Sequence, residues 1–221
     1  MKYLKLFANH EAYNSAKDGL ALPNVSLCVQ ENEVHYNPVI PQHEYVDLGL
    51  PSGTLWATMS VGATSVTDYG NYYKYGLGAA QYDVSQSDYT TTENPLAASA
   101  DTAVQVWGGD WYMPTKTQLE ELTANTTWQW VSDYQGSGIN GVTFTAEDGS
   151  GNVLFIPASG TYSRGEIVES GETGHIWSST PYDGTYSYYL YFYNNEMGVG
   201  KGVSFSGRFC GYPVRPVKDG E

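Results

Sequence analysis

The residue types that most often carry chemistry are sparse in this chain and fall into no reactive pattern. His10, His35, His43 and His175 form none of the short spacings that seat a metal ion or pair an imidazole with a nucleophile. Cys28 and Cys210 are the only cysteines, too few and too far apart for a disulfide framework or a zinc site. Both read as free thiols, with a Cys28–Cys210 bridge as the alternative. The carboxylates scatter over loop-like stretches, as on a solubilising surface, and offer no acid–base pair. The expectation is a protein with no catalytic residue, no metal and no other cofactor.

What stands out is aromatic. From Ser187 to Asn195 the chain reads SYYLYFYNN, without a charge. In a strand, alternate side chains face opposite ways, so Tyr188, Leu190 and Phe192 form the expected core side and Ser187, Tyr189, Tyr191 and Tyr193 the presentable side. Tyrosine suits a contact surface because it brings large area with few torsions to freeze and a tip that both donates and accepts hydrogen bonds. The flanks, TPYDGTYS and GVSFSGRFCGY, share that composition. Candidate ligand contacts are therefore Tyr182, Asp183, Tyr186, Tyr189, Tyr191, Tyr193, Ser204, Ser206 and Phe209. Alternatively, the stripe packs under a loop or against another subunit.

The chain that must position these groups has 221 residues, enough for one main domain and a small accessory segment. Twenty-four acidic against ten basic side chains give a net charge of −14, which repels phosphate backbones and anionic bilayers and excludes nucleic acid as a partner. Its 25 glycines and 20 tyrosines indicate a turn-rich, strand-rich fold. The first residues hold no continuous apolar stretch of the kind a secretion signal needs, and no later segment approaches 18 apolar residues. Synthesis without a signal peptide and no membrane insertion are expected.

Residues 1–42 form the accessory segment: a short helix over about 10–18, a strand VSLCVQ, a tight return into ENEVHY and the linker NPVIPQ. So short a piece cannot build its own core, so it should dock on another surface or assemble with copies of itself. Residues 43–221 form the main domain. Short strands joined by a turn span EYVDLGLPSGTLWATMSVG, with Leu55 and Trp56 as core anchors. DYGNYYKYG is an aromatic ribbon, either packed or exposed. A short helix lies near Asp101–Val106, and a second opens at the capping box Thr115-x-x-Gln118 with Leu119 and Leu122 inward. Strand-sized apolar pieces follow at 128–131, 142–144, 153–156, 176–177, 188–192, 203–205 and 214–217. The six tryptophans read as core and corner anchors, and Arg215 as a structural arginine satisfying buried carbonyls or a carboxylate. The fold class is α+β: two short helices beside twisted antiparallel strands with long loops.

In that order, YVDLGLPSGTLWAT, DYGNYYKYG, WGGDWYMPTKTQLEELT, IWSSTPYD and GYPVRPV resemble the signature blocks of the Fibrobacter succinogenes major paralogous domain over Glu44–Val217. The resemblance implies a C-type-lectin-like fold, related to that of formylglycine-generating enzymes. The segment from Trp177-Ser178-Ser179 to Val214-Arg215-Pro216 is similar to the diversified C-terminus of variable proteins from diversity-generating retroelements. KYLKLFANHEAYNSAKDGLALPNVSLCVQENEVHYNP resembles the leader of Bacteroides phage virion proteins. The catalytic cysteine pair of the formylglycine enzymes is not matched. Nor are the Glu-Pro-Asn loop and Trp-Asn-Asp strand of calcium-dependent lectins, since this chain has Glu93-Asn94-Pro95.

Taken together, these resemblances imply a bacteriophage virion protein, a head or tail fibre or capsid decoration. It would attach to capsid or tail proteins through residues 1–42 and bind a bacterial host surface glycan or protein for host attachment. A homotrimer is expected, because repeated weak sites gain avidity. The alternatives are a structural decoration protein without receptor binding, a bacterial surface adhesin of the same fold, or an enzyme of the formylglycine-generating type.

Overall fold

Short turns between apolar runs make hairpins the commonest unit of this chain. The computed structural model describes the backbone of residues 25–30 and 33–38 and all of residues 43–78 and 93–220. The expected helix over 10–18 and most of the polar loop before Pro95 lie outside the described residues. The chain divides into two units, Met1–Pro41 and Gln42–Glu221.

In the first unit, β1 (Val25–Gln30) pairs antiparallel with β2 (Glu33–Pro38), Val25 opposite Pro38 and Gln30 opposite Glu33.

The second unit is α+β, built mostly of antiparallel sheets with two short helices. Its strands are β3 (Tyr45–Asp47), β4 (Leu55–Ala57), β5 (Thr126–Val131), β6 (Gly141–Ala146), β7 (Val153–Pro157), β8 (Thr161–Ser163) and β9 (Glu166–Val168). They continue with β10 (Thr173–Pro181), β11 (Tyr186–Asn195), β12 (Gly198–Gly207) and β13 (Val217–Lys218). Three sheets have the orders β13-β4-β3, β5-β6-β7 and β10-β11-β12, and β8–β9 is a separate hairpin. β8 and β9 hold too few apolar residues to be read as strands from the sequence.

Helix α1 (Thr102–Val106) is capped by Asp101, whose buried carboxylate accepts from the N–H groups of Val104 at 3.0 Å and Met113 at 2.9 Å. Helix α2 (Lys116–Ala124) begins at the expected capping box. Thr115 Oγ1 accepts from Gln118 N–H at 3.2 Å, and Gln118 Oε1 accepts from Thr115 N–H at 2.9 Å. Such a cap contributes about 1 kcal/mol. Leu119 and Leu122, one turn apart, are the fully buried residues of this helix.

Two apolar clusters result, and β10–β12 lies between them. On one face, Leu190 and Phe192 join Leu119, Leu122, Trp56 and Phe144 in the main core, which links all three sheets to α2. On the other, Trp177 packs with Tyr73, Tyr75, Met113, Tyr212 and Val214. The DYGNYYKYG ribbon is thus structural through Tyr73 and Tyr75: Trp177 Nε1 donates to the Tyr73 carbonyl at 2.9 Å, and Tyr75 Oη to that of Ser179 at 3.0 Å. Trp56, Trp111 and Trp177 are buried, whereas Trp107, Trp128 and Trp130 are half-buried.

Arg215 is fully buried, where Nη1 donates to the Ala57 carbonyl at 3.3 Å. A carbonyl, not a carboxylate, receives it. Nε and Nη2 have no partner among the described residues, and burial lowers its pKa to about 9.

Candidate aromatic binding surface

The alternation expected for SYYLYFYNN is present, but burial does not follow it along the whole strand. Leu190 and Phe192 are in the main core. Tyr188, expected beside them, is not. It is half-buried, edge-on to Tyr182 at 5.5 Å, with Lys116 Nζ 5.0 Å from its ring centre. Ser187, expected on the presentable side, is fully buried. The cause is the second cluster, which covers that side of the sheet at its Tyr186 end.

Tyr189 meets this cluster directly. Its ring lies 6.2 Å from Trp177, 5.2 Å from Tyr212 and 5.5 Å from His175, and burial raises its pKa, opposed in part by a hydrogen bond with its cross-strand neighbour Ser204. Ser206 is similarly engaged: it accepts from Tyr212 Oη at 3.1 Å and donates to Cys210 Sγ at 3.6 Å. Cys210 is a free, half-buried thiol. His175 stacks on Tyr212 at 4.6 Å, and its Nδ1 lies 3.3 Å from the Gly160 carbonyl and 3.4 Å from Thr161 Oγ1. Burial lowers its pKa to about 4 and keeps it neutral near pH 7.

Further along β11, Tyr191 and Tyr193 lie side by side, half-buried, 6.2 Å apart with planes within 12°. They are adjacent tiles, not a face-to-face stack. A Cβ added to Gly202 would stand 2.9 Å from Tyr191 Oη, and one on Gly200 2.7 Å from Tyr193 Oη. The two glycines opposite them on β12 leave room for the rings to lean across the ladder. On the core face, Phe192 leans in the same way over Gly174 of β10.

Four exposed aromatic groups gather at the other end of the sheet. Tyr182 is 49% exposed, Phe205 46%, Tyr186 40% and Phe209 56%. Tyr182 and Phe205 stack at 4.2 Å and 13°, and Tyr186 stands edge-on to Phe205 at 5.8 Å. Phe209 lies against Gly207, the cross-strand partner of Tyr186.

The loop that carries Tyr182 is held from both ends. Asp183 Oδ1 accepts from the N–H groups of Thr185 at 2.7 Å and Tyr186 at 2.8 Å, and these bonds depress its pKa. Beneath the loop, buried Arg208 donates to the carbonyls of Asp183 and Tyr186 and lies 4.9 Å over the Tyr75 ring. Asp183 therefore acts first as a turn former. Of the expected contacts, Tyr182, Tyr186 and Phe209 belong to this exposed group, Tyr191 and Tyr193 to a separate half-buried pair, and Tyr189 and Ser206 to the inner cluster.

Phe205 belongs to the exposed group and half-buried Tyr188 adjoins it, although the first was not an expected contact and the second was expected on the core side. Counting back from the two-residue turn Glu196–Met197 pairs Tyr188 with Phe205 and would have found both.

A shallow hollow of about 350 Å³ lies elsewhere, lined by His43, Glu44, Tyr45 and Thr58, none of them an expected contact. Among the described residues, no group of histidines, cysteines and carboxylates is placed to hold a metal ion. No described helix is long and apolar enough to cross a membrane. No family model matches the chain, and no curated protein and no solved structure is significantly similar to it.

Proposed function

We propose that this chain is a non-enzymatic binding protein of a phage virion, a head or tail fibre or decoration, that displays a C-type-lectin-like domain. Residues 1–42 attach it to capsid or tail proteins, and residues 43–221 recognise a glycan or protein on the bacterial host surface. One observation carries the recognition role: the exposed aromatic group Tyr182, Tyr186, Phe205 and Phe209, gathered around a loop anchored from below by Arg208. Clustered exposed aromatic residues on a rigid support suit a binding surface, because ring faces make large contacts at small entropic cost. The order of the five sequence blocks supports the fold, and the leader-like N-terminus supports the virion location. Tyr188 and Lys116 extend the surface with a polar rim.

The test is capture of host cells, or of glycans and proteins stripped from them, by the full chain and by Tyr182→Ala with Tyr186→Ala. Binding should fall at least tenfold in the double variant while the circular dichroism spectrum stays that of the parent. Unchanged binding would sink this surface as the receptor site.

A further inference from the structure

The last strand of the β10–β11–β12 sheet is an unprotected edge. β12 is 10 residues long and keeps unbroken register with β11 from Asn195–Gly198 to Tyr186–Gly207, without a bulge or a proline. The two-residue turn makes Asn195 and Gly198 a hydrogen-bonded pair, so the even-numbered residues of β12 bond to β11. It follows that the N–H and C=O groups of Val199, Lys201, Val203 and Phe205 point away from the sheet. Among the described residues none of these groups has a backbone partner.

Natural edges of this length are normally blunted by bulges, prolines or free charges. Here the only charge on the strand is Lys201, and its ammonium is committed to its own subunit, donating to the Thr123 carbonyl at 2.7 Å and lying 5.5 Å over the Trp128 ring. No acidic residue lies between Met197 and Gly207, although the whole chain carries a net charge of −14. The edge is a neutral strip along which two acidic copies can approach.

We propose that β12 pairs antiparallel with β12 of a second copy about a two-fold axis at Gly202. This register sets Val199 opposite Phe205 of the second copy and Lys201 opposite Val203, and it uses every outward group named above. Val199 is 52% exposed and Phe205 nearly as much, so the pairing buries the two exposed apolar side chains of the edge against each other. An axis one residue earlier would place Lys201 against Lys201, which like-charge repulsion disfavours. An axis one residue later would need the Gly207 carbonyl, already taken by Cys210 N–H at 3.0 Å. The pairing goes beyond the proposed function and does not depend on it. It would withdraw Phe205 from the exposed aromatic group and leave Tyr182, Tyr186 and Phe209 of each subunit on one continuous paired sheet.

Val199→Asp and Phe205→Lys, compared with the parent as full-length chains by light scattering, test the register. Each variant alone should have half the parental mass, because each breaks both Val199–Phe205 contacts of its own pair. An equimolar mixture should regain the parental mass through one Asp–Lys contact and one Val–Phe contact. Parental mass in both single variants, or a mixture that stays at half mass, overturns the pairing.

Hydrogen exchange on the unsubstituted chain gives an independent reading. The amides of Val199, Lys201, Val203 and Phe205 should slow with rising protein concentration. Rates that do not change with concentration, or slow only when host material is added, overturn the assignment to a second copy.

Discussion

Tyr182 and Phe205 stack 4.2 Å apart with their planes 13° from parallel, although one ring stands in the loop after β10 and the other on edge strand β12. Their contact couples a loop, otherwise held by Asp183 and Arg208, to the sheet it crosses.

That coupling is measurable by a double-mutant cycle in urea unfolding. Tyr182→Ala and Phe205→Ala are expected to be non-additive by about 0.5–1.5 kcal/mol, the range for paired aromatic rings. Strict additivity would mean that the rings do not support one another.

Two glycines under aromatic rings should differ in what they tolerate. A Cβ at Gly174 would stand 2.0 Å from Phe192 Cζ, and Phe192 is fully buried with nowhere to move. At Gly202 the obstacle is the hydroxyl end of half-exposed Tyr191, which can swing outward. Gly174→Ala should therefore cost about 3 kcal/mol and Gly202→Ala less than about 1 kcal/mol. Equal shifts in the urea midpoint would contradict the packing of Phe192 against β10.

His175 should make the domain sensitive to mild acid. Its folded pKa of about 4 lies below the ordinary value of 6.5, so the folded state binds the proton more weakly than the unfolded chain. Its contribution is complete above pH 6.5 and is lost as the pH falls toward 4. Between pH 7 and pH 5 this amounts to ~2 kcal/mol, a window that lies above most carboxylate titration. His175→Phe should flatten the stability profile in that window. A profile that keeps its slope would assign the effect elsewhere, His43 being the other described histidine whose pKa burial lowers.

What could be read from the sequence was mostly local. The capping box at Thr115 and Gln118, the inward Leu119 and Leu122, and the return from strand VSLCVQ into ENEVHY are set by residues a few positions apart. The alternation of β11 was also legible, since it needs only the geometry of a strand. Which parts of each side would be covered was not. That depends on Tyr73, Trp177 and Tyr212, brought together from ribbon, sheet and C-terminal segment by long-range contacts such as Trp177 Nε1 to the Tyr73 carbonyl. Ser187 is buried for that reason, and periodicity holds no trace of it. The partner of Arg215, the Ala57 carbonyl, was equally hidden, because a motif block can mark a residue as structural without naming what it meets.

The position of β11 between two cores separates residues the fold depends on from residues it can spare. Ser187, Leu190 and Phe192 are enclosed by neighbours on every side, whereas Tyr182, Tyr186, Phe205 and Phe209 project beyond both clusters. Exchange of Tyr186 or Phe209 would alter the surface chemistry with little effect on the folding equilibrium, and exchange of Tyr182 or Phe205 would cost chiefly their mutual stacking. Supporting and displayed side chains thus lie within a few residues of each other, so the surface chemistry of this domain can be altered without altering its shape.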